Sequence, residues 1–152
     1  MLGREQILAM VPHQYGMCLW DEVLQWDADS VQVRASNHRH DDHPLRRNGQ
    51  LHAIHLCEYG AQAMAVHGGL RARSSGQPAQ PGMLVSLRDV QLHIARLDDL
   101  SGDLVATAQV LVEAPGSQQY VFHIHHGQQL IASGRAAVML QLPASAPSPS
   151  KE

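Results

Sequence analysis

Hydrophobic positions along this chain follow two different periods. In the second half they alternate with polar ones. Val90, Leu92 and Ile94 alternate with Gln91, His93 and Ala95, and Tyr120, Phe122 and Ile124 with Val121, His123 and His125. An apolar run at about residues 104–112 and another at about 129–142 complete a four-strand meander. Turn residues fall near 99–103, 114–118 and 127. Val31, Val33 and Ala35 alternate in the same way and predict one strand in the first half. The stretch 51–70, LHAIHLCEYGAQAMAVHGGL, behaves differently. It is small and apolar nearly all round, which predicts a buried helix over about residues 53–70 ending at Gly68-Gly69. A short helix is expected over residues 3–10, stopping at Val11-Pro12 because the residue before proline avoids the helical region. Residues 71–82 carry Ser, Gly and Pro and read as a loop.

One long apolar helix and an antiparallel meander make an α+β layer arrangement. Gly60, Ala61, Ala63 and Ala65 on the helix would let a curved sheet wrap closely around it, the hotdog arrangement. A single domain over residues 1–142 is expected. Residues 143–152, PASAPSPSKE, have nothing to bury and are expected to be a disordered tail.

Composition narrows the function. A formal net charge of −3 and 4% aromatic residues point away from a nucleic-acid binder or a membrane-surface protein. No apolar run reaches the roughly 18 residues of a membrane span. No signal peptide is visible, and two cysteines make no disulfide framework, so a reducing cytoplasm is expected. Eleven histidines raise the question of metal. Neither paired cysteines nor a His-Glu-x-x-His spacing is present, and His123, His125 and His126 on one strand supply at most two ligands from one face. No metal site is expected.

The candidate chemistry lies around the helix. Glu58 is its one formally charged side chain, and just upstream run Asn37-His38-Arg39-His40-Asp41-Asp42-His43-Pro44. A desolvated carboxylic acid beside a histidine can move protons, although an acid in a first helical turn also occurs simply as a dipole-stabilised group.

Three motifs carry a family resemblance over about residues 10–140. Val11-Pro12-His13, followed by Met17 and Asp21-Glu22-Val23-Leu24, is similar to the Pro-His … Asp-Arg-Val start of bacterial fatty-acid dehydratases, with Glu22 in place of arginine. Glu58-Tyr59-Gly60-Ala61-Gln62-Ala63-Met64 resembles the Glu … Ala-Gln motif of their central helix. His43-Pro44 stands where those enzymes carry a Gly-His-Phe-Pro loop, here without the phenylalanine. The run His43-Pro44-Leu45-Arg46-Arg47-Asn48-Gly49 is most similar to the branch linked to aryl polyene and xanthomonadin pigment synthesis.

The chain thus resembles the hotdog-fold 3-hydroxyacyl-carrier-protein dehydratases. The resemblance implies dehydration of 3-hydroxyacyl thioesters to trans-2-enoyl thioesters, with no cofactor beyond the carrier's phosphopantetheine arm. By the same resemblance His43 is the base, with His38 and His40 as rivals, and Glu58 the acid. Ile54, His55, Leu56 and Gln62 are the substrate-binding positions, with a backbone amide near 54–56 polarising the thioester carbonyl. An acyl carrier protein is the expected partner, steered by Arg46, Arg47, Arg71 and Arg73. A homodimer or a heterodimer with another hotdog subunit, assembled further or not, would complete the site. A hotdog thioesterase and a catalytically silent subunit remain the alternatives.

Overall fold

A computed structural model describes residues 2–11, 17–76 and 82–140. The expected tail and the Pro12-His13 pair lie outside the described residues. The elements run β1 (Leu2–Gly3), α1 (Arg4–Met10), β2 (Glu22–Trp26), β3 (Ser30–Ala35), α2 (Leu56–Ser75), β4 (Gly82–Leu92), β5 (Leu104–Ala114), β6 (Ser117–His126) and β7 (Gln129–Leu140). Short 3-10 turns occupy Asn37–Arg39 and Ala53–His55. All seven strands form one sheet in the order β1-β2-β3-β5-β6-β7-β4, and every pairing is antiparallel.

The period-two alternation sets the inner face. Val31, Val33 and Ala35, Leu104, Ala106 and Ala108, and Tyr120, Phe122 and Ile124 are all buried. The helix α2 packs on that face against β3, β5, β6 and β7. A glycine permits close approach at Phe122. A Cβ on Gly60 would stand 2.7 Å from the Phe122 ring, and one on Gly134 would stand 2.8 Å from the other end of that ring. Phe122 is thus held between the helix and β7, which removes a large apolar ring from water.

Three expectations are corrected. The expected four-strand meander holds only for β5, β6 and β7, because β4 pairs with β7 while β5 takes β3 as its other neighbour. The helix passes through Gly68-Gly69 and ends at Gly76, whose φ of +72° supplies the left-handed cap. Gly69 is not a stop. It lets α1 come close, since a Cβ there would lie 2.9 Å from Met10 Cβ. Residues 71–82 are therefore not one loop, because Arg71–Ser75 are helical and Gly82 opens β4. β4 is longer than the alternation implied and sits at the sheet edge beyond the cover of α2, with Met83, Leu84, Val85, Leu87 and Val90 exposed.

The entry to α2 is clamped from outside. Leu97 N–H donates to Leu51 O (2.8 Å), Ala53 N–H to Ala95 O (3.0 Å) and Leu51 N–H to Asp98 Oδ1 (2.8 Å). Arg96 beside Asp98 holds that carboxyl well below the usual range, so the clamp stays charged.

Candidate active site

The loop 40–52 and the first turns of α2 carry the expected site residues. His43 is buried, 6% exposed. Its Nε2 lies 3.0 Å from the Tyr59 hydroxyl, and Leu45 N–H points at its Nδ1 from 3.1 Å. Burial first, and the Arg46 charge second, push its pKa down to about 4. The ring is therefore neutral near pH 7. It lines a cavity of about 280 Å³ with Arg4, Asp21, Asn37, His40, Asp42 and Pro44. Arg4 and Asp21 form an ion pair across its wall at 3.1 Å.

The rival histidines go elsewhere. His40 is exposed on the cavity rim. His38 is fully buried, its Nε2 is 2.9 Å from Leu100 O, and burial lowers its pKa. It packs under the 97–100 loop and does not line the cavity that His43 lines.

Glu58 sits in the first turn of α2 and is half-buried rather than fully desolvated. Its Oε1 accepts a hydrogen bond from Gln62 Nε2 at 2.9 Å. Gln62 is buried and also donates to Met17 O (2.7 Å) while accepting Leu19 N–H (2.8 Å). The carbonyl of Leu19 in turn accepts Asn37 Nδ2 at 2.7 Å, and Asn37 Oδ1 accepts the Tyr59 hydroxyl at 2.6 Å. Glu58 and His43 are therefore the two ends of one hydrogen-bonded path, Glu58–Gln62–Leu19–Asn37–Tyr59–His43. Among the described residues no direct hydrogen bond or ion pair joins the two ends.

The remaining expected positions are present, but their polar groups have partners within the chain. Ile54 is half exposed, and its N–H donates to His52 Nδ1 at 2.9 Å. His55 N–H donates to His52 O at 3.1 Å, and Leu56 N–H is shared between Ala53 O and Ile54 O. Among the described residues the Ile54 amide is held by the side chain of an exposed residue. Arg46 and Arg47 brace their own loop through the carbonyls of His40, Gly49, Pro44 and Arg46. Arg71 pairs with Glu113 at 2.8 Å, and Arg73 is exposed.

Tyr59, Asn37 and Leu19 are the site components that sequence reasoning missed. The signal available for Tyr59 was an aromatic hydroxyl on an otherwise apolar helix, directly after Glu58. Among the described residues no group of three or more His, Cys, Asp or Glu is gathered closely enough to hold a metal ion. No helix among them is long and apolar enough to cross a membrane.

Comparison with known proteins follows the same lines. The family model of the ApeP dehydratase matches residues 5–146. A search of the curated proteins found no match. Among solved structures, the dehydratase heterocomplex ApeI:P from Xenorhabdus doucetiae superposes with a TM-score of 0.81 at 19% identity, covering 93% of each chain. AziG of S. sahachiroi superposes with a TM-score of 0.60 at 18% identity, over 80% of this chain and 91% of that one. A variant of a thioesterase from Staphylococcus aureus gives 0.58 at 15% identity, over 80% and 93%. At such identities these structures speak to the fold alone. The wrapped sheet, the single long helix and the match over nearly the whole chain agree: the chain has the hotdog fold and belongs to the ApeP-like dehydratase family.

Proposed function

We propose that the protein dehydrates 3-hydroxyacyl thioesters, carried on the phosphopantetheine arm of an acyl carrier protein, to trans-2-enoyl thioesters. In this reading the setting is fatty-acid-like or aryl polyene pigment synthesis, and the dehydratase family match supports the reaction type. The observation that carries the reading is His43 itself. It is a buried imidazole kept neutral by its surroundings, set in a cavity wall and wired to the helix that bears Glu58. A neutral imidazole is a suitable base for the C2 proton, and Glu58 delivers a proton to the departing C3 hydroxyl. The thioester carbonyl displaces the His52 ring from the Ile54 amide, at the end of the helix suited to developing negative charge. The reaction needs no resident cofactor.

The active unit we propose is a dimer of hotdog subunits. Among the described residues no hydrogen bond or ion pair joins His43 to Glu58, and in this reading each meets its counterpart across the interface. The exposed apolar edge strand β4 supports such pairing, because a free hydrophobic edge invites another strand. The ApeI:P heterocomplex makes a second kind of hotdog subunit a natural partner. Arg46, Arg47 and Arg73 would steer the acidic carrier. Cys18 and Cys57 are both free thiols, which suits work in a reducing cytoplasm.

One observation favours a second reading, the silent subunit. Both ring nitrogens of His43 already have partners in this chain. The experiment that decides is product analysis on a 3-hydroxyacyl carrier thioester, with the chain alone and co-purified with a second hotdog protein. An enoyl product supports dehydration, and a free thiol supports a thioesterase. Enoyl formation only by the complex, unaffected by changes at His43 and Glu58, supports the silent role.

A further inference from the structure

The path from Leu19 to His43 has only one consistent arrangement of hydrogens. Asn37 Nδ2 donates to the Leu19 carbonyl, so Oδ1 is the amide atom that faces Tyr59. An amide oxygen can only accept, and the Tyr59 hydrogen therefore lies on the Asn37 side. Having given its one hydrogen away, Tyr59 Oη can only accept from His43, so Nε2 carries the ring hydrogen. At the other nitrogen the Leu45 amide can only donate, so Nδ1 is the bare acceptor. Reversing any link would set two hydrogens face to face or two lone pairs face to face. Tyr59 cannot swing to relieve such a conflict. It is fully buried, packed edge-on against Trp20 with ring centroids 5.3 Å apart, and its carbonyl is held by Trp20 Nε1 at 2.8 Å.

We infer that Tyr59 and Asn37 are positioning residues for His43, which hold it in the Nε2–H tautomer and make Nδ1 the atom that takes the substrate's proton. The inference rests on the dehydratase reading for its chemistry but not for its geometry. In the step, the C2–H bond breaks and the proton goes to Nδ1, replacing the Leu45 N–H contact. The electron pair moves onto the thioester as an enolate and returns to form the C2=C3 double bond. The C3–O bond breaks and the hydroxyl leaves as water with the proton from Glu58. The imidazolium keeps its Nε2–H on Tyr59 Oη, and Asn37 Oδ1 polarises that hydroxyl so that it accepts more strongly. A base oriented by a third group in this way is the general pattern of activated histidines.

The test uses 15N-histidine NMR on the full chain, in complex with its partner subunit if it assembles with one, with His43→Asn to assign the signals. At pH 7 the His43 Nε2 should resonate as a protonated ring nitrogen and Nδ1 as an unprotonated one. Tyr59→Phe and Asn37→Ala should move both signals toward averaged values. Asn37→Asp keeps the acceptor that faces Tyr59, though it gives up the donor to Leu19 O, and should restore the separation. In turnover, Tyr59→Phe should lower kcat about 10–100-fold with KM little changed, the scale on which partners that orient a histidine usually act. A protonated Nδ1 in the unmodified protein overturns the inference, and so do signals that neither Tyr59→Phe nor Asn37→Ala moves. Should Tyr59→Phe not fold, the Asn37 pair reads the same link. If the tautomer follows this pattern but no enoyl product forms, the positioning stands and the dehydratase reading falls.

Discussion

Gln62 lies one helical turn beyond Glu58 and donates an amide hydrogen to its carboxylate at 2.9 Å. The same amide holds Met17 O and Leu19 N–H, so the acid is oriented by a buried residue with no freedom to turn. Glu58→Gln keeps volume but removes the titratable carboxyl group. It should lower enoyl formation about 10²–10⁴-fold, the scale of a positioned acid or base, with little change in thermal stability. Gln62→Leu leaves Leu19 N–H buried without its acceptor and Met17 O without its donor, and should cost about 1–3 kcal/mol in denaturant unfolding as well as activity.

His43→Ala should fall in the same range of activity loss as Glu58→Gln. His38→Ala should act on stability instead. That side chain is fully buried, and its loss opens a void and strips Leu100 O of its donor. A loss of about 2–4 kcal/mol is expected, with turnover of the folded fraction largely kept. Parallel unfolding and product assays separate the two, and a folded, inactive His38→Ala protein would make His38 the catalytic histidine.

Acid should weaken the fold before the carboxylates titrate. His43 has a folded pKa of about 4 against 6.5 for a free imidazole, with burial the main cause. The unfolded chain therefore binds the proton first. The stabilisation is complete above pH 6.5 and is lost as the pH falls through that window toward 4, about 3 kcal/mol in all. His38 and His67 are shifted in the same direction by burial and add to the slope. Urea midpoints measured from pH 7.5 to 4.5 should fall steadily, and less so in His43→Asn.

Gly60→Ala should destabilise although alanine is the better helix former by about 1 kcal/mol. The added methyl would meet the Phe122 ring at 2.7 Å, and overpacking of this kind costs about 1–3 kcal/mol. Pairing it with Phe122→Leu should recover part of the loss. Melting temperatures of the two single variants and the double variant check the coupling.

The edge strand β4 supplies the assembly test. Val85 and Leu87 are exposed beside an unpaired strand edge. Lysine at both positions should release a smaller species in sedimentation and abolish enoyl formation together. A monomeric, fully active protein would remove the shared-site reading.

The sequence by itself determined the two periods and hence the layers. Val31, Val33 and Ala35, and Tyr120, Phe122 and Ile124, face the core because alternation along an extended backbone leaves them no other face. The same is true of the apolar helix and of Glu58 on it, since both are matters of local pattern and the motif around them was sufficient to identify the family. What tertiary structure decided were the contacts between segments far apart in sequence. Gly68-Gly69 reads as a stop until α1 packs against Gly69 and makes its missing Cβ a condition of close approach. The path through Leu19, Asn37 and Tyr59 joins residues up to 43 positions apart through single hydrogen bonds. A side chain's donors and acceptors are written in its type. Which of them meet, and so which nitrogen of His43 holds the proton, is fixed only when the sheet closes around the helix and water is excluded.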